Sequence, residues 1–489
     1  MPRPDAYERF RVAFPEYEST QALDELRATE YARLDEQQHT YLDYTGAGLH
    51  AASQVREHAE WLASSVFGNP HSASPASSAA TAAVEEARRA VLRWFNATRD
   101  YIAVFTQNAS AALKLVGESY PFAEGGRLLL TADNHNSVNG VRQFAAARGA
   151  AVEYAGLTFP ELRLDRGDVS ARLASATGAA RRLFAFPAQS NFSGVKHPLD
   201  LVDEAQALGW DVLLDAAAFV ATNRLDLEAV RPDFVTVSFY KMFGYPTGVG
   251  CLLARRDALA RLERPWFAGG TVNFATVQVR AHLLSPGEAG FEDGTLNFLA
   301  IPAVTIGLRH LERAGMDRIA TRVRCLTGWL LQELMALRHA NGRSLVRLYG
   351  PITTAMRGGV VTMNLYDPDG HLLDYRRIEE LAGATRISLR TGCFCNPGTG
   401  ETAEHITEDD IQAALDHSHD MSLPRFLQFI THRGGKSAGA IRVSVGLAST
   451  FADVQRFVEF AASFCDQTRL SIGETSFDIA SCRIIRDGS

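Results

Sequence analysis

The chain has 489 residues, of which 46% are hydrophobic and 21% are charged. This composition is that of a globular protein and excludes a mainly disordered chain, and at about 150 residues per domain the length predicts two or three domains. The net charge is -7, and lysine and arginine form no cluster in the sequence. Nucleic acid, which binds to clustered positive charge, is therefore excluded as a partner.

The N-terminal residues show no sign of export. Three prolines and several charges interrupt residues 1–17, which therefore lack the apolar stretch of a signal peptide. No uninterrupted apolar segment is long enough to span a bilayer, so no membrane partner is expected. The six cysteines are few for the length and predict reduced thiols rather than a disulfide framework. We therefore expect a soluble, cytoplasmic protein.

In chain order, residues 1–40 are predicted to form an N-terminal arm that joins a small C-terminal domain, and a large domain follows over residues 41–305. From about Tyr101 short apolar runs alternate with helical patterns, which is typical of an α/β fold with a mostly parallel sheet sandwiched by helices. The predicted strands are residues 101–105, 127–131, 182–186, 210–214, 233–239 and 249–253. The predicted helices are residues 77–95 and 199–208.

The pattern changes after Pro302, and we predict a smaller α+β domain over residues 306–489. A long helical pattern covers residues 316–338. Strand-like runs follow at residues 360–365 and 440–445.

Two features of this second domain concern its loops and caps. Thr450, with Asp453 three residues later, resembles a capping box that begins a final helix through Phe464. Residues 399–438 are rich in glycine, charge and histidine. They predict a long loop or excursion, and long loops in compact domains are often functional.

Polar residues follow several of the predicted strands, at the edge where open α/β sheets bind ligands. Asp215 follows residues 210–214, and Lys241 follows residues 233–239. The other such residues are Gln189, Ser190, Asn191 and His135.

Lys241 lies in SFYKMFGYPTG, among apolar residues and next to a glycine-rich turn. Burial lowers the pKa of a lysine ammonium, and the neutral amine is the form that makes a Schiff base with a carbonyl group. The alternative is a strand-end lysine that extends its ammonium to solvent.

Other polar residues fit the same chemistry. Asp215 is placed to pair with a pyridine nitrogen and keep it protonated, although a lone carboxylate there is also typical of a helix cap. His135 is a candidate to stack on a cofactor ring or relay protons, although a lone loop histidine is often a surface or capping residue. Backbone amides at Asn108, Ala109 and Ser110 precede a helical pattern and are candidates to hold a phosphate. Ser238 and Tyr240 add hydroxyl groups nearby.

The stretch CFCNPG contains Cys393 and Cys395. A C-x-C pair is too close for an unstrained disulfide and differs from the C-x-x-C spacing of zinc sites. Buried structural thiols are the alternative, but beside a candidate Schiff-base lysine we interpret a loop thiol as a nucleophile. Arg390 and Arg442 lie in apolar runs of the second domain. They are suited to a bidentate grip on an amino-acid carboxylate, or else they form surface ion pairs.

Together these motifs resemble class V of the fold-type I pyridoxal-phosphate enzymes, specifically the cysteine desulfurases and the desulfurase-like N-terminal domain of the molybdenum-cofactor sulfurases. The likeness covers nearly the whole chain. It is carried by the motifs YLDYTGAG, FGNPHS, FTQNASAALKLV, NHNSV, QSNFSG, LLDAAAFVAT, SFYKMFGYPTG, RTGCFCNPG and GAIRVSVG.

The resemblance implies a role for each matching residue. Lys241 matches the lysine that carries pyridoxal 5'-phosphate, Asp215 the partner of its ring nitrogen, and His135 the histidine that stacks on its ring. Cys395 matches the persulfide cysteine. Thr295 matches a residue that reaches the phosphate of the neighbouring subunit, which implies a homodimer with shared sites. The implied phosphate ligands are Ser110, Ser238 and Tyr240, and the implied ligands of the substrate carboxylate are Asn191 and Arg442.

The sequence also departs from the family pattern. Ala218 stands where many desulfurases have a glutamine that contacts the ring hydroxyl of the cofactor, and Gly400 stands where the sulfurases usually have a further cysteine. The printed sequence ends at Ser489, before the domain with which those sulfurases bind molybdenum cofactor. The resemblance therefore does not name the sulfur acceptor.

The predicted reaction converts L-cysteine to L-alanine and leaves a persulfide on Cys395 for transfer to a protein or a small molecule. The alternative within enzymes is other class V chemistry, by an aminotransferase, a carbon-sulfur lyase or an epimerase, with Cys395 incidental. A non-catalytic scaffold is a further alternative. The joint presence of Lys241, Asp215 and His135 argues against it.

Overall fold

The computed structural model describes residues 4–70, 72–175, 178, 180–417, 426, 429–430, 437, 439–472, 476–478 and 483–485. The helices within this range lack the length and apolar character needed to cross a membrane.

The larger sheet has seven strands in the order β1-β7-β6-β5-β4-β2-β3. Only β7 runs antiparallel to its neighbours, and the remaining pairs are parallel. The strands are β1 (Tyr101–Thr106), β2 (Arg127–Thr131), β3 (Ala151–Ala155), β4 (Arg182–Pro187), β5 (Asp211–Asp215), β6 (Phe234–Ser238) and β7 (Gly250–Arg255). The predicted strands are confirmed to within two residues at each end, and so is the fold class.

The sheet lies between two hydrophobic cores. Successive residues of a strand alternate between them: Leu128 and Leu130 pack in one core and Leu129 in the other. Both faces of the sheet are covered, which explains why the central strands are continuous apolar runs. β3 was not predicted because it is an edge strand whose residues, apart from Ala155, are only partly buried or exposed.

The helices flank this sheet and the second one. Their bounds are Pro4–Ala13, Ala22–Glu30, Arg33–Glu36, Ala52–Ser64, Pro75–Trp94, Ala109–Ser119, Asn136–Asn139, Val141–Ala147, Arg166–Ser175, Leu201–Ala207, Phe239–Phe243, Arg256–Leu259, Pro302–Ala314, Met316–Ala336, Tyr375–Ala384, Pro397–Ala403, Glu408–His417 and Phe451–Ala462, with 3-10 helices at Pro15–Thr20 and Gly287–Phe291. Short strand pairs join Thr40–Tyr41 to Ile387–Ser388, Leu157–Thr158 to Arg163–Leu164, Val272–Thr276 to Ala281–Leu284, and Ser476–Asp478 to Arg483–Ile485.

The second sheet has four antiparallel strands in the order β8-β9-β11-β10. They are β8 (Val346–Tyr349), β9 (Val360–Leu365), β10 (Arg390–Gly392) and β11 (Ala440–Ser444). The predicted capping box is confirmed, since the backbone N–H of Thr450 donates to Asp453 Oδ2 at 2.8 Å where the helix Phe451–Ala462 begins.

The N-terminal helices pack on this second part of the chain. The buried Arg322 guanidinium, on the helix Met316–Ala336, donates to Asp24 Oδ1 at 2.6 Å and to the Thr20 carbonyl oxygen at 3.0 Å. This contact supports the predicted arm. We propose the domain limits at residues 40 and 305 as predicted, although residue 305 lies inside the helix Pro302–Ala314.

Of the loop or excursion predicted over residues 399–438, the loop is wrong for the first half, where the helices Pro397–Ala403 and Glu408–His417 lie. Asn396 caps the first helix. The second helix has acidic residues in its first turn, and their negative charges stabilise the positive end of the helix dipole there. Most of residues 418–438 lie outside the described residues.

Candidate active site

A cavity of about 160 Å³ lies at the carboxyl ends of β4, β5 and β6. Parallel strands bring their carboxyl ends to one edge, so residues far apart in sequence meet there. The predicted site residues that line the cavity are Ala109, Ser110, His135, Asn191, Asp215, Ser238, Tyr240 and Lys241.

Lys241 lies in the one-turn helix Phe239–Phe243, which begins directly after β6. The turn ends at Gly244, whose φ of +78° and close approach to His50 leave no room for a side chain. Desolvation lowers the pKa of the Lys241 ammonium, and the carboxylate of Asp215 opposes this effect. The lowered pKa raises the fraction of neutral, nucleophilic amine.

Asp215 is the last residue of β5. Its Oδ1 accepts hydrogen bonds from the backbone N–H of Ala217 at 3.0 Å and from the Thr236 hydroxyl at 3.4 Å. A turn rather than a helix follows Asp215, so the predicted helix cap is absent, and these two bonds instead orient the carboxylate. Within the described part of the chain Oδ2 has no hydrogen-bond donor, so it is free to accept from a ligand.

His135 caps the short helix Asn136–Asn139. Its Nδ1 accepts a hydrogen bond from the backbone N–H of Ser137 at 3.1 Å, so Nε2 carries the proton of the neutral ring. Desolvation lowers the pKa of His135, and Asp215 offsets this effect only in part. His135 therefore caps a helix, as the alternative interpretation predicted. Its neutral ring also lines the cavity.

The helix Ala109–Ser119 points its N-terminus at one end of the cavity. The Ala109 N–H is not free, because it donates to Ser238 Oγ at 2.9 Å. That bond leaves the Ser238 hydroxyl proton available to a ligand. Ser110 Oγ lies 2.6 Å from Ser137 Oγ. A helix N-terminus surrounded by hydroxyl groups is suited to a phosphate.

Cys395 is exposed, at a turn in which its φ and that of Phe394 are both +54°. The backbone N–H of Asn396 closes the turn by donating to the Cys393 carbonyl oxygen at 3.0 Å. The Phe394 carbonyl oxygen accepts a hydrogen bond from Asn191 Nδ2 at 2.8 Å, and Asn191 lines the cavity. The second part of the chain therefore brings a thiol to the cavity formed by the first.

The buried guanidinium of Arg442 donates from Nη2 to Asp43 Oδ1 and from Nη1 to the Asn191 carbonyl oxygen, both at 3.0 Å. Its Nε is buried without a hydrogen-bond partner in the described chain. Arg390 also pairs with Asp43, at 2.6 Å. Sequence reasoning missed Asp43, whose only signal was an acidic residue directly after an apolar run in YLDYTGAG.

Asn191 and Thr295 are two further predicted site residues. The Asn191 side chain holds the turn of Cys395, donating from Nδ2 to the Phe394 carbonyl oxygen at 2.8 Å and accepting from Asn396 Nδ2 at 2.9 Å. Thr295 lies on a separate cavity of about 260 Å³, which Lys114 also lines. Its predicted role across a subunit interface stays a prediction.

The architecture is that of a fold-type I enzyme, with a candidate cofactor lysine at the sheet edge. A family model described as aminotransferase class-V matches residues 40–457. The chain belongs to the aminotransferase class-V family.

One relative is the molybdenum cofactor sulfurase of Solanum lycopersicum, which is 37% identical over 491 residues. The alignment covers 93% of this chain and 59% of that protein, so the chain spans about three fifths of its relative's length.

Solved structures share the fold. The apo cysteine desulfurase from Thermococcus onnurineus NA1 superposes with a TM-score of 0.72 at 23% identity, covering 90% of this chain and 97% of that one. The cystine C-S lyase C-DES, in complex with cysteine persulfide, has a TM-score of 0.64 at 19% identity, covering 87% and 98%.

Proposed function

We propose that the protein is a pyridoxal-phosphate-dependent cysteine desulfurase that converts L-cysteine to L-alanine and keeps the sulfur as a persulfide on Cys395. The observation that carries this proposal is that the turn bearing the Cys395 thiol is hydrogen-bonded to Asn191, which lines the cavity that holds the desolvated amine of Lys241. The molybdenum cofactor sulfurase relatives support the same reaction class.

The residues present fit pyridoxal phosphate. Lys241 lines the cavity, and the pKa of its ammonium is lowered. Its side chain makes no hydrogen bond to the described residues. Asp215 has an oxygen free to accept a hydrogen bond from a protonated ring nitrogen, and the far end of the cavity offers the helix N-terminus and the Ser238 hydroxyl. Bound there, the cofactor supplies an aldehyde for an amine and a ring that accepts negative charge.

The protein's own groups then have distinct tasks. We assign the substrate carboxylate to Arg442, whose guanidinium is held in place by Asp43 and by the Asn191 carbonyl oxygen. Lys241 moves the α-proton of the substrate, and Asp215 holds the proton on the ring nitrogen. The neutral His135 ring packs against the cofactor without adding positive charge.

Sulfur transfer uses Cys395. Its thiolate attacks the sulfur of the substrate cysteine, a sulfur–sulfur bond forms, and the carbon–sulfur bond breaks. The electron pair left on the substrate takes up a proton to give alanine. One thiol and one cysteine thus become one persulfide and one alanine, with no external oxidant or reductant.

The second candidate is a carbon-sulfur lyase, favoured by the similarity of the fold to C-DES. A lyase releases pyruvate and ammonia and does not need the Cys395 thiol. The exposed Cys395 thiol, on a turn that is bonded to the cavity residue Asn191, argues for the desulfurase.

The deciding experiment supplies L-cysteine and a reductant to the purified protein and measures alanine, sulfide and pyruvate. We expect alanine and sulfide in equal amounts, lost in both Cys395→Ala and Lys241→Ala, with Cys393→Ala as the matched thiol control. Full activity of Cys395→Ala, or pyruvate as the main product, would contradict the proposal.

We further infer that the protein is a homodimer. The hairpin of Val272–Thr276 and Ala281–Leu284 exposes Phe274 (57%), Val277 (97%) and Leu283 (62%). A monomer rarely exposes such a patch, and an isolated two-stranded hairpin is only marginally stable in water. A second copy that covers the hairpin also suits the predicted role of Thr295.

The destination of the sulfur and the compartment follow from the same chemistry. An exposed persulfide cysteine can be reached by an acceptor thiol of a protein or by a small molecule, and we propose such an acceptor. The cysteines of the described chain are free thiols, which suits a reducing, cytoplasmic location.

A further inference from the structure

The Asn396 side chain is fully buried directly beside Cys395. Its Nδ2 donates to the Asp133 carbonyl oxygen at 2.7 Å and to Asn191 Oδ1 at 2.9 Å. Its Oδ1 accepts from the Thr399 hydroxyl at 2.8 Å and from the Thr399 N–H at 3.4 Å. Both Nδ2 protons are used, so the orientation of the amide is fixed.

The turn that carries Cys395 needs support from outside. Phe394 and Cys395 both have φ of +54°, a left-handed conformation that residues with a side chain rarely adopt. The Phe394 carbonyl oxygen accepts from Asn191 Nδ2 at 2.8 Å, and the Cys395 carbonyl oxygen accepts from the Asn136 N–H at 2.7 Å. These bonds tie the turn to loops at the edge of the larger sheet.

The groups that Asn396 contacts are themselves held in place. Asp133 Oδ2 lies 2.6 Å from His197 Nε2, and its Oδ1 accepts from the Thr131 hydroxyl at 2.9 Å, with all three residues buried. The Asn191 carbonyl oxygen accepts from Arg442 Nη1 at 3.0 Å. Asn396 therefore connects the thiol turn to a rigid frame.

We propose that Asn396 is a positioning residue that clamps the Cys395 turn onto Asn191 and Asp133, so that the thiol stays within reach of the substrate sulfur. This inference rests on the proposed desulfurase function. A displacement of about 1 Å is enough to cost about 100-fold in rate when two reacting groups must meet.

The test separates the clamp from the helix cap. Asn396→Ser keeps a good capping residue for the helix Pro397–Ala403 but is too short to reach Asp133 and Asn191. Thr399→Val is the matched control, because it removes one bond to Asn396 Oδ1 and leaves both Nδ2 bonds. Asn396→Asp replaces the serine variant if that variant does not fold, as judged by thermal melting.

For Asn396→Ser we expect kcat for alanine formation to fall about 10- to 100-fold while KM for L-cysteine stays within about twofold. The change in cofactor absorbance on adding L-cysteine is retained, and amide hydrogen exchange in a peptide spanning residues 390–400 becomes faster. Thr399→Val behaves like the wild type.

Three results would overturn the proposed role of Asn396. They are a kcat of Asn396→Ser within twofold of wild type, an equal loss of kcat in Thr399→Val, or unchanged hydrogen exchange in Asn396→Ser. Failure of the wild-type protein to form alanine and persulfide would instead reject the proposed function. In that case the hydrogen exchange of residues 390–400 alone decides whether Asn396 holds the turn.

Discussion

Arg442 and Asp43, which are 399 residues apart in the chain, form a buried ion pair with Nη2 and Oδ1 3.0 Å apart. The pair joins β11 to the segment that follows the short strand Thr40–Tyr41. Asp43 also holds Arg390, so a single carboxylate orients both arginines predicted to bind a substrate carboxylate. It leaves Nε of Arg442 as the free donor.

We therefore predict that Asp43→Asn lowers the free energy of unfolding by about 3 kcal/mol, because it leaves a buried guanidinium without its counter-charge. Urea denaturation of both proteins measures the difference. Asp200→Asn is the control: Asp200 pairs with Arg166 at the surface, and its loss costs less than about 1 kcal/mol. Equal effects of the two substitutions on the free energy of unfolding would contradict the role of Asp43 as the counter-charge of Arg442.

A second prediction concerns pH and His310, whose Nε2 lies 2.9 Å from the Tyr31 hydroxyl. Burial lowers the pKa of His310 to about 4, whereas the unfolded chain takes up the proton near the ordinary value of 6.5. The unfolded state thus binds more protons in this window. Stability is unaffected well above the ordinary pKa and is lost as the pH falls towards about 4.

Between about pH 7 and pH 4 the free energy of unfolding of the wild type should fall by about 3 kcal/mol more than that of His310→Gln. Glutamine keeps a hydrogen-bond partner for Tyr31 but does not titrate. Urea denaturation at a series of pH values gives both curves. Parallel curves would show that His310 is not responsible.

A third prediction concerns Gly398, where an added Cβ would lie 2.2 Å from the Ala132 carbonyl oxygen. Gly398→Ala should push the helix Pro397–Ala403 off the end of β2 and, with it, displace the Cys395 turn. We expect a loss of about 1–3 kcal/mol in stability together with reduced alanine formation. Gly383 lies in a helix, and a Cβ added there would meet open space. Gly383→Ala should therefore raise the free energy of unfolding by about 0.5–1 kcal/mol.

The proposed dimer gives a fourth prediction. Phe274→Asp combined with Leu283→Asp places charges on the exposed hairpin and should convert the dimer to a monomer, because a buried interface does not accommodate unpaired carboxylates. Light scattering after size-exclusion chromatography gives the mass directly. Ile352→Asp, also at an exposed apolar residue (56%), should leave the mass unchanged. A monomeric wild type would reject the dimer.

Much of the larger domain could be predicted from local pattern alone. Apolar runs buried on both faces show the parallel strands, and the chain direction within such a sheet places Asp215, Lys241 and His135 at one edge. The same patterns fail at β3, whose residues are too exposed to stand out, and at residues 399–417, where caps rather than hydrophobic periodicity favour the helices.

What the sequence by itself determined, then, is every strand of the larger sheet except β3, together with the identity of the residues at the carboxyl ends of those strands. The tertiary structure decided which polar groups meet: Asp43 with both arginines, Asn191 with Phe394, and Asn396 with Asp133. The physical reason is the distance along the chain between the groups that interact. Strand periodicity is set by neighbours in sequence, whereas a hydrogen bond of about 3 Å depends on how two distant segments pack, and no local pattern encodes that distance.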